Sequence, residues 1–336
     1  MKTLSNNDVI LMENLVGIGQ KALQDVLYKF LKQNYKDVTY DEDFLLATGN
    51  IPIALVAHMD TVFKQPAKEV FYDKTKNVMW SPTGMGADDR AGVFGIIKII
   101  KAGYRPHIIF TTDEEVGCVG ANELSYLPCP FEDLKYIIQL DRRGSNDCVF
   151  YDCDNKEFEE YVEKFGFITA YGSFTDICEL CPSWGVAGVN LSIGYRDEHT
   201  TSEILFVGQM LDTIEKVKKM LSEKNIPEFK FIPSVGYYRW NYYPGYLEDD
   251  YDEYYDLTPT YPKNVTGVRY KCSGCGAICT EDDVLPVKLI KGGKGFFCSQ
   301  CLERKVDWCT MCGEPYEISK SNICPDCEKK LKKNKK

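Results

Sequence analysis

Over its first 225 residues this chain predicts an α/β fold, with helices covering both faces of a mainly parallel sheet. Its C-terminus predicts a separate small, cysteine-rich module. Three observations carry that expectation. Short apolar runs alternate with stretches of helical periodicity, which is the signature of strands buried on both faces. The 336 residues, 44% of them hydrophobic, suffice for one large core and a smaller companion. Nine of the 15 cysteines fall between Cys272 and Cys327, eight of them as CxxC pairs.

In order, residues 8–33 carry apolar side chains at helical spacing and read as one opening helix. Residues 51–57 form a short apolar run that ends at His58, as a buried strand would. Residues 91–101 read as a helix, 107–111 and 136–140 as buried strands, and 155–164 as a polar, exposed helix. Residues 186–193 read as a further strand, and 202–224 as a long closing helix. Between 226 and 264 the texture changes to tyrosine, proline and acid, with Tyr237, Tyr238, Tyr242 and Tyr243 leading into an acidic run. A linker and an ordered aromatic arm both explain that composition. Residues 265–328 form the cysteine module, and 329–336 a basic tail.

The formal net charge of −10 argues against general affinity for nucleic acid along the whole chain. No stretch approaches the roughly 20 apolar residues that span a bilayer, and residues 1–15 lack a secretory apolar run. The expectation is a soluble, cytoplasmic protein without a membrane partner. The six cysteines between Cys118 and Cys181 then read as reduced thiols packed as small hydrophobes.

Polar residues gather where the apolar runs end, which is where ligands bind in open α/β sheets. His58 and Asp60 stand in Ala57-His58-Met59-Asp60, and Asp88 and Asp89 stand between glycines just before a helix. The latter pair, taken alone, is explained by helix capping. Asp113-Glu114-Glu115 sets three carboxylates in succession, which repel one another unless a cation or hydrogen bonds hold them. Asp141 closes another run, and His199 follows the last strand and opens the last helix. Together these positions supply one bridging acid and two sets of a histidine plus an acid. Such a mixed nitrogen and oxygen set suits two zinc ions.

In order and rough spacing, His58-Met59-Asp60, Gly86-Ala87-Asp88-Asp89, Asp113-Glu114-Glu115, Asp141 and His199 resemble the metal motifs of the co-catalytic zinc exopeptidases. That superfamily includes peptidase T, carboxypeptidase G, acetylornithine deacetylase and the bacterial leucyl aminopeptidases. The likeness covers about residues 50 to 205 and implies a three-layer α/β/α zinc-exopeptidase domain. It implies that His58 and Asp141 hold one metal, Glu115 and His199 the other, and that Asp88 bridges them. Glu114 would be the general base, and Asp60 would orient His58. The resemblance also implies a cis peptide bond between Asp88 and Asp89. Many members carry a lid or dimerisation domain after the Asp141 position. Here Ser173-Phe174-Thr175-Asp176, which resembles the motif following that insertion, comes only 35 residues later, so the lid is expected to be missing. Arg142, Arg143, Tyr195 and Arg196 are then candidates to bind a carboxylate or oxyanion, with ordinary surface charge as the alternative. His107, inside a strand, reads as structural, and Cys178 and Cys181 read as packed thiols on one helical turn.

In the module, Cys272 and Cys275 pair with Cys298 and Cys301 across a Lys-Gly-rich hairpin turn. Cys309 and Cys312 pair with Cys324 and Cys327. Each set is a four-thiolate site for structural zinc, as in zinc ribbons. Leu285, Val287, Leu289 and Phe297 are too few to make a core alone, so metal would supply folding energy. Cys279 is left over. Such a module is a candidate contact for protein or nucleic acid. The expected activity is hydrolysis of a peptide or amide bond, with a small peptide as substrate and two catalytic zinc ions replaceable by Co2+ or Mn2+. The alternatives are an N-acyl amino acid deacylase and an inactive scaffold that binds its partner through the module.

Overall fold

The computed structural model describes residues 2–234 except 173. Beyond these it describes 270, 271, 273, 278, 279, 284–289, 294–298, 301, 305–308, 315–318, 324, 325, 328 and 329. The chain divides into two compact units, Met1–Leu247 and Glu248–Lys336.

Two helices open the first unit, α1 (Asn6–Val16) and α2 (Gln20–Asn34), with the Ser5 hydroxyl capping α1. A hairpin of β1 (Asp37–Tyr40) and β2 (Phe44–Thr48) leads into β3 (Ile51–His58). The short β4 (Phe71–Asp73) and β5 (Val78–Trp80) precede α3 (Ala87–Lys101), β6 (Pro106–Thr111) and α4 (Val119–Ser125). Then come β7 (Tyr136–Arg142), β8 (Asp147–Val149), α5 (Lys156–Glu163), β9 (Ile168–Thr169) and α6 (Ile177–Trp184). The unit continues through β10 (Gly188–Ser192), β11 (Tyr195–Arg196), β12 (Ile204–Phe206) and α7 (Val207–Leu221).

Eight strands form one sheet in the order β1-β2-β6-β3-β7-β10-β8-β9. Its centre, β6-β3-β7-β10, is parallel throughout. Alternation along β3 builds both cores: Leu55 and Ala57 join the cluster with α1, α2, α3 and α7, whereas Ala54 and Val56 join α4 and α6 on the opposite face. Burying a Leu or Val fully is worth about 1.5–3 kcal/mol, so strands apolar on both faces are held at the centre of the sandwich. This is the three-layer arrangement that the alternating runs predict. A second sheet, β11-β12-β5-β4, stands beside it. Between Asp141 and Asp176 the chain makes only β8, α5 and β9, so the described residues hold no inserted domain there.

Several elements differ from the sequence reading. The single opening helix is two helices, because Gly17, Ile18 and Gly19 interrupt it. The closing helix starts at Val207 rather than 202, since Ile204–Phe206 pairs antiparallel with β5. His199 accordingly lies in the loop between β11 and β12 and does not open that helix. The helix α5, expected to be exposed, buries Phe158, Tyr161 and Val162. Beyond α7 the chain lays Phe229 against Tyr136, Phe158 and Tyr161 and bridges Pro233 to Cys153.

In the second unit, β13 (Tyr270–Lys271) pairs with β14 (Ile278–Cys279). The strands β15 (Val284–Lys288) and β16 (Lys294–Cys298) form an antiparallel hairpin, as the Lys-Gly-rich segment suggests. With β17 (Val306–Trp308) and β18 (Pro315–Glu317) they make a four-stranded sheet in the order β16-β15-β18-β17. Val287, Phe297 and Cys301 form a small core. Cys301 and Cys324 are buried. Cys272, Cys275, Cys309, Cys312 and Cys327 lie outside the described residues, as does the side chain of Cys298.

Candidate metal centre

The parallel strands end along one edge of the sheet, and the polar residues collect there. His58 is the last residue of β3, and Asp141 sits near the end of β7. Asp88 enters from the first turn of α3, which crosses β7 so closely that a Cβ at Gly92 would stand 2.2 Å from the Leu140 carbonyl oxygen. Gly86, at φ +66°, turns the chain into that helix, and the Asp88–Asp89 peptide is cis. Glu114 and Glu115 follow β6 in a loop, and His199 reaches in from the β11–β12 loop at φ +64°.

Two groups of potential ligands result, His58 with Asp88 and Asp141, and Asp88 with Glu115 and His199; within each group the ligand atoms all lie within 4.8 Å. His58 Nε2 stands 3.2 Å from Asp88 Oδ1 and 3.5 Å from Asp141 Oδ1. His199 Nε2 stands 3.1 Å from Asp88 Oδ2 and 3.0 Å from Glu115 Oε2. The two oxygens of Asp88 thus serve different histidines. Donors bound tetrahedrally to zinc at about 2.0–2.1 Å lie about 3.3 Å apart, so these separations match the edges of a coordination tetrahedron. His58 Nδ1 faces Asp60 Oδ1 at 3.1 Å, so a neutral His58 that donates from Nδ1 presents its Nε2 lone pair to the ligand group. Glu115 Oε1 is buried without a hydrogen-bond partner among the described residues, as expected of a ligand oxygen.

The electrostatics also call for cations. Burial opposes a charged His58, yet the Asp141 carboxylate, with Asp60 and Asp88, raises its pKa well above the usual value. A hydrogen bond to Asp88 raises His199 to about 9. Burial, followed by the Asp141 charge, lifts Glu114 to about 9; burial, followed by Asp88, lifts Glu115 to about 7. Negative charge contributes to all four shifts, second to burial for the two glutamates, and cations held among the carboxylates would lower the acids again.

Further residues that the sequence reading did not assign brace these groups. Glu203, only 1% exposed, accepts from the backbone N–H groups of Met85, Ala87 and Asp88 at 3.1–3.2 Å and fixes the loop that presents Asp88. Thr175 donates to Asp141 Oδ2 at 2.7 Å, and Gln139 donates to both Asp141 and Asp176. Asp60, already expected to orient His58, also accepts the backbone N–H groups of Glu114 and Glu115, each at 3.0 Å. The Cys118 thiol lies 3.6 Å from Glu114 Oε1. Glu203 and Thr175 stand in runs already singled out, but a lone acid or hydroxyl carries no spacing signal of its own.

Of the candidates for an oxyanion or carboxylate, Tyr195 donates to Asp141 Oδ1 at 3.0 Å. Arg143 pairs with Glu198 at 2.9 Å, and Arg196 lies over the Phe206 ring. Arg142 lines the same cleft of about 570 Å³ as Asp88, Glu114, Glu115, Asp141 and His199. His107 is remote from it, stacked on Phe131 and bonded to Asp133. Cys178 and Cys181 lie on α6, Cys181 buried and Cys178 half-buried.

The sequence matches no family model and no curated protein. Among solved structures, a tripeptidase from Staphylococcus aureus aligns over 63% of this chain and 96% of its own, at a TM-score of 0.53 and 15% identity. An aminopeptidase PepT from Bacillus cereus aligns over 63% and 96%, at 0.51 and 17%. A TET aminopeptidase from a marine-sediment Thaumarchaeota archaeon aligns over 66% and 97%, at 0.53 and 14%. At such identities the likeness is one of fold, and function has to be argued from the site.

Proposed function

We propose that this chain is a metal-dependent exopeptidase that uses water to cleave a peptide or amide bond and takes zinc as its metal. The observation that carries this reading is Asp88, whose two oxygens meet His58 and His199 in separate ligand groups. His58 and Asp141 would hold one ion, Glu115 and His199 the other, with Asp88 between them. Two ions held in this way supply polarisation of the scissile carbonyl and a water of lowered pKa. Glu114, which lines the cleft beside these groups, takes the water's proton and passes it to the leaving nitrogen. Asp60 orients His58 and, through two backbone N–H groups, sets the Glu114-Glu115 turn. The aminopeptidases that share the fold favour a peptide as substrate. We assign residues 1–225 to the catalytic domain, 226–264 to a connecting arm, and 265–328 to a module with two structural four-thiolate zinc sites.

The test is metal analysis of the full chain, with hydrolysis assays on aminoacyl, dipeptide and N-acyl substrates. The expected result is two ions beyond those of the cysteine module, and turnover lost to a chelator and restored by Zn2+, Co2+ or Mn2+. Cleavage of N-acyl amino acids alone would make the chain a deacylase. Two bound ions without turnover on any of these substrates would make it a scaffold.

A further inference from the structure

On the reading that the metal centre hydrolyses peptides, we propose that Arg142 is the specificity-determining residue and that it receives the free α-carboxylate of a short peptide substrate. Arg142 ends β7, one residue beyond Asp141, and lines the cleft that holds both ligand groups. A guanidinium carries five N–H donors in a planar fork that matches a carboxylate. Here only Nη2 is engaged, donating to the Tyr171 carbonyl oxygen at 2.8 Å and standing 3.7 Å from the half-exposed Asp147 carboxylate. Nε is buried with no partner among the described residues, and Nη1 makes no hydrogen bond with them. The Arg142 side chain is 15% exposed, and the cleft that it lines is the space an acceptor would enter.

The neighbouring cation and hydroxyl are already committed. Arg143 is 65% exposed and tied to Glu198, and the Tyr195 hydroxyl is spent on Asp141. Of the five carboxylates on the cleft wall, Asp88, Glu115 and Asp141 are assigned to metal and Glu198 is paired with Arg143, so Arg142 keeps the donors that fix where along the cleft an anionic group settles. Tyr171, almost fully exposed, and Phe174, half exposed, flank the same cleft. They offer apolar surface to the side chain beside that carboxylate. The substrate class that fits is a short peptide with a free carboxylate and an apolar residue at its carboxyl end.

The decisive experiment compares peptides bearing a free C-terminal carboxylate with the same peptides as C-terminal amides, on the full zinc-loaded chain and on Arg142→Gln and Arg142→Lys. The wild type should favour the free acids by about 10- to 100-fold in kcat/KM, the range of a charge-assisted pair. Arg142→Gln should lose that factor on the acids and leave the amides unchanged, and Arg142→Lys should recover part of it. If Arg142 merely pinned Tyr171, the variant would slow acids and amides equally, and the proposal would fail. Calorimetric binding of the same acid and amide pairs to Glu114→Gln, with and without Arg142→Gln, reads the preference without turnover. Equal affinity of the acid and amide forms for Glu114→Gln would overturn the proposal even where the hydrolase reading stands. A preference for acids that vanishes with Arg142→Gln would support it even if no hydrolysis were found in the wild type.

Discussion

Asp60 joins three parts of the site through one carboxylate: it accepts from His58 and from the backbone N–H groups of Glu114 and Glu115. Asp60→Asn would turn one of these acceptors into a donor and press an N–H against another. Its apparent metal affinity should fall about 10- to 100-fold, as when the carboxylate partner of a metal-bound histidine is lost. A metal titration against a competing chelator measures the change, and an unaltered affinity would remove Asp60 from the centre. Glu114→Gln should behave in the opposite way. It keeps shape and metal content but cannot carry a proton, so turnover should drop at least about 10²-fold while the metal titration stays at the wild-type value. Near-normal hydrolysis by that variant would assign the base elsewhere. The candidate ligands were legible in the sequence because each is a histidine or acid closing an apolar run. Glu203 was not legible, because its function is to accept three backbone N–H groups from a loop more than a hundred residues away. Nothing in its local sequence separates it from a surface acid.

At the scale of elements, His107 shows how a polar residue is kept inside a parallel strand. Its Nδ1 accepts the Gly49 backbone N–H at 3.2 Å, and its Nε2 donates to Asp133 Oδ1 at 3.0 Å, a pattern only the neutral ring can satisfy. Burial pushes its pKa below the ordinary value, with Asp133 acting against the shift. The unfolded chain therefore takes up the proton first as the medium is acidified. His107 contributes stability that is complete above about pH 6.5 and is lost as pH falls through the lower folded-state pKa. Urea unfolding of wild type and His107→Gln should show a gap in midpoint at pH 7.5 that narrows towards pH 5.5. A constant gap would mean that the ring does not titrate differently on folding. The strands β3, β6 and β7 could be read from the sequence because burial on both faces leaves a continuous apolar run. The segment Ile204-Leu205-Phe206 could not, since three apolar residues fit either period and the helix that follows absorbs them. Its pairing with β5 is a contact made by remote sequence. For the same reason α1 and α2 merged into one helix, with amphipathic spacing continuing across glycines whose effect depends on packing.

For the whole molecule, the reading separates catalytic metal from structural metal. The candidate catalytic groups lie within Met1–Leu247, and the eight cysteines proposed to hold structural zinc lie within Glu248–Lys336. Two four-thiolate shells have no open position, so they would bind zinc without activating water. In the described part of the second unit, the apolar core is Val287, Phe297 and Cys301 with Leu289 and Val306 against it, too little to hold a fold against chain entropy without metal. A chain cut after residue 263 should therefore keep two ions and most of its hydrolysis. The fragment from 264 onward should fold with zinc and unfold when a chelator is added, as followed by circular dichroism. Activity and metal content measured together on residues 1–263, which keep the arm and lose the module, test this division. If the shortened chain binds both ions and cleaves nothing, the halves form one catalytic unit, and the assignment of chemistry to the first alone is wrong.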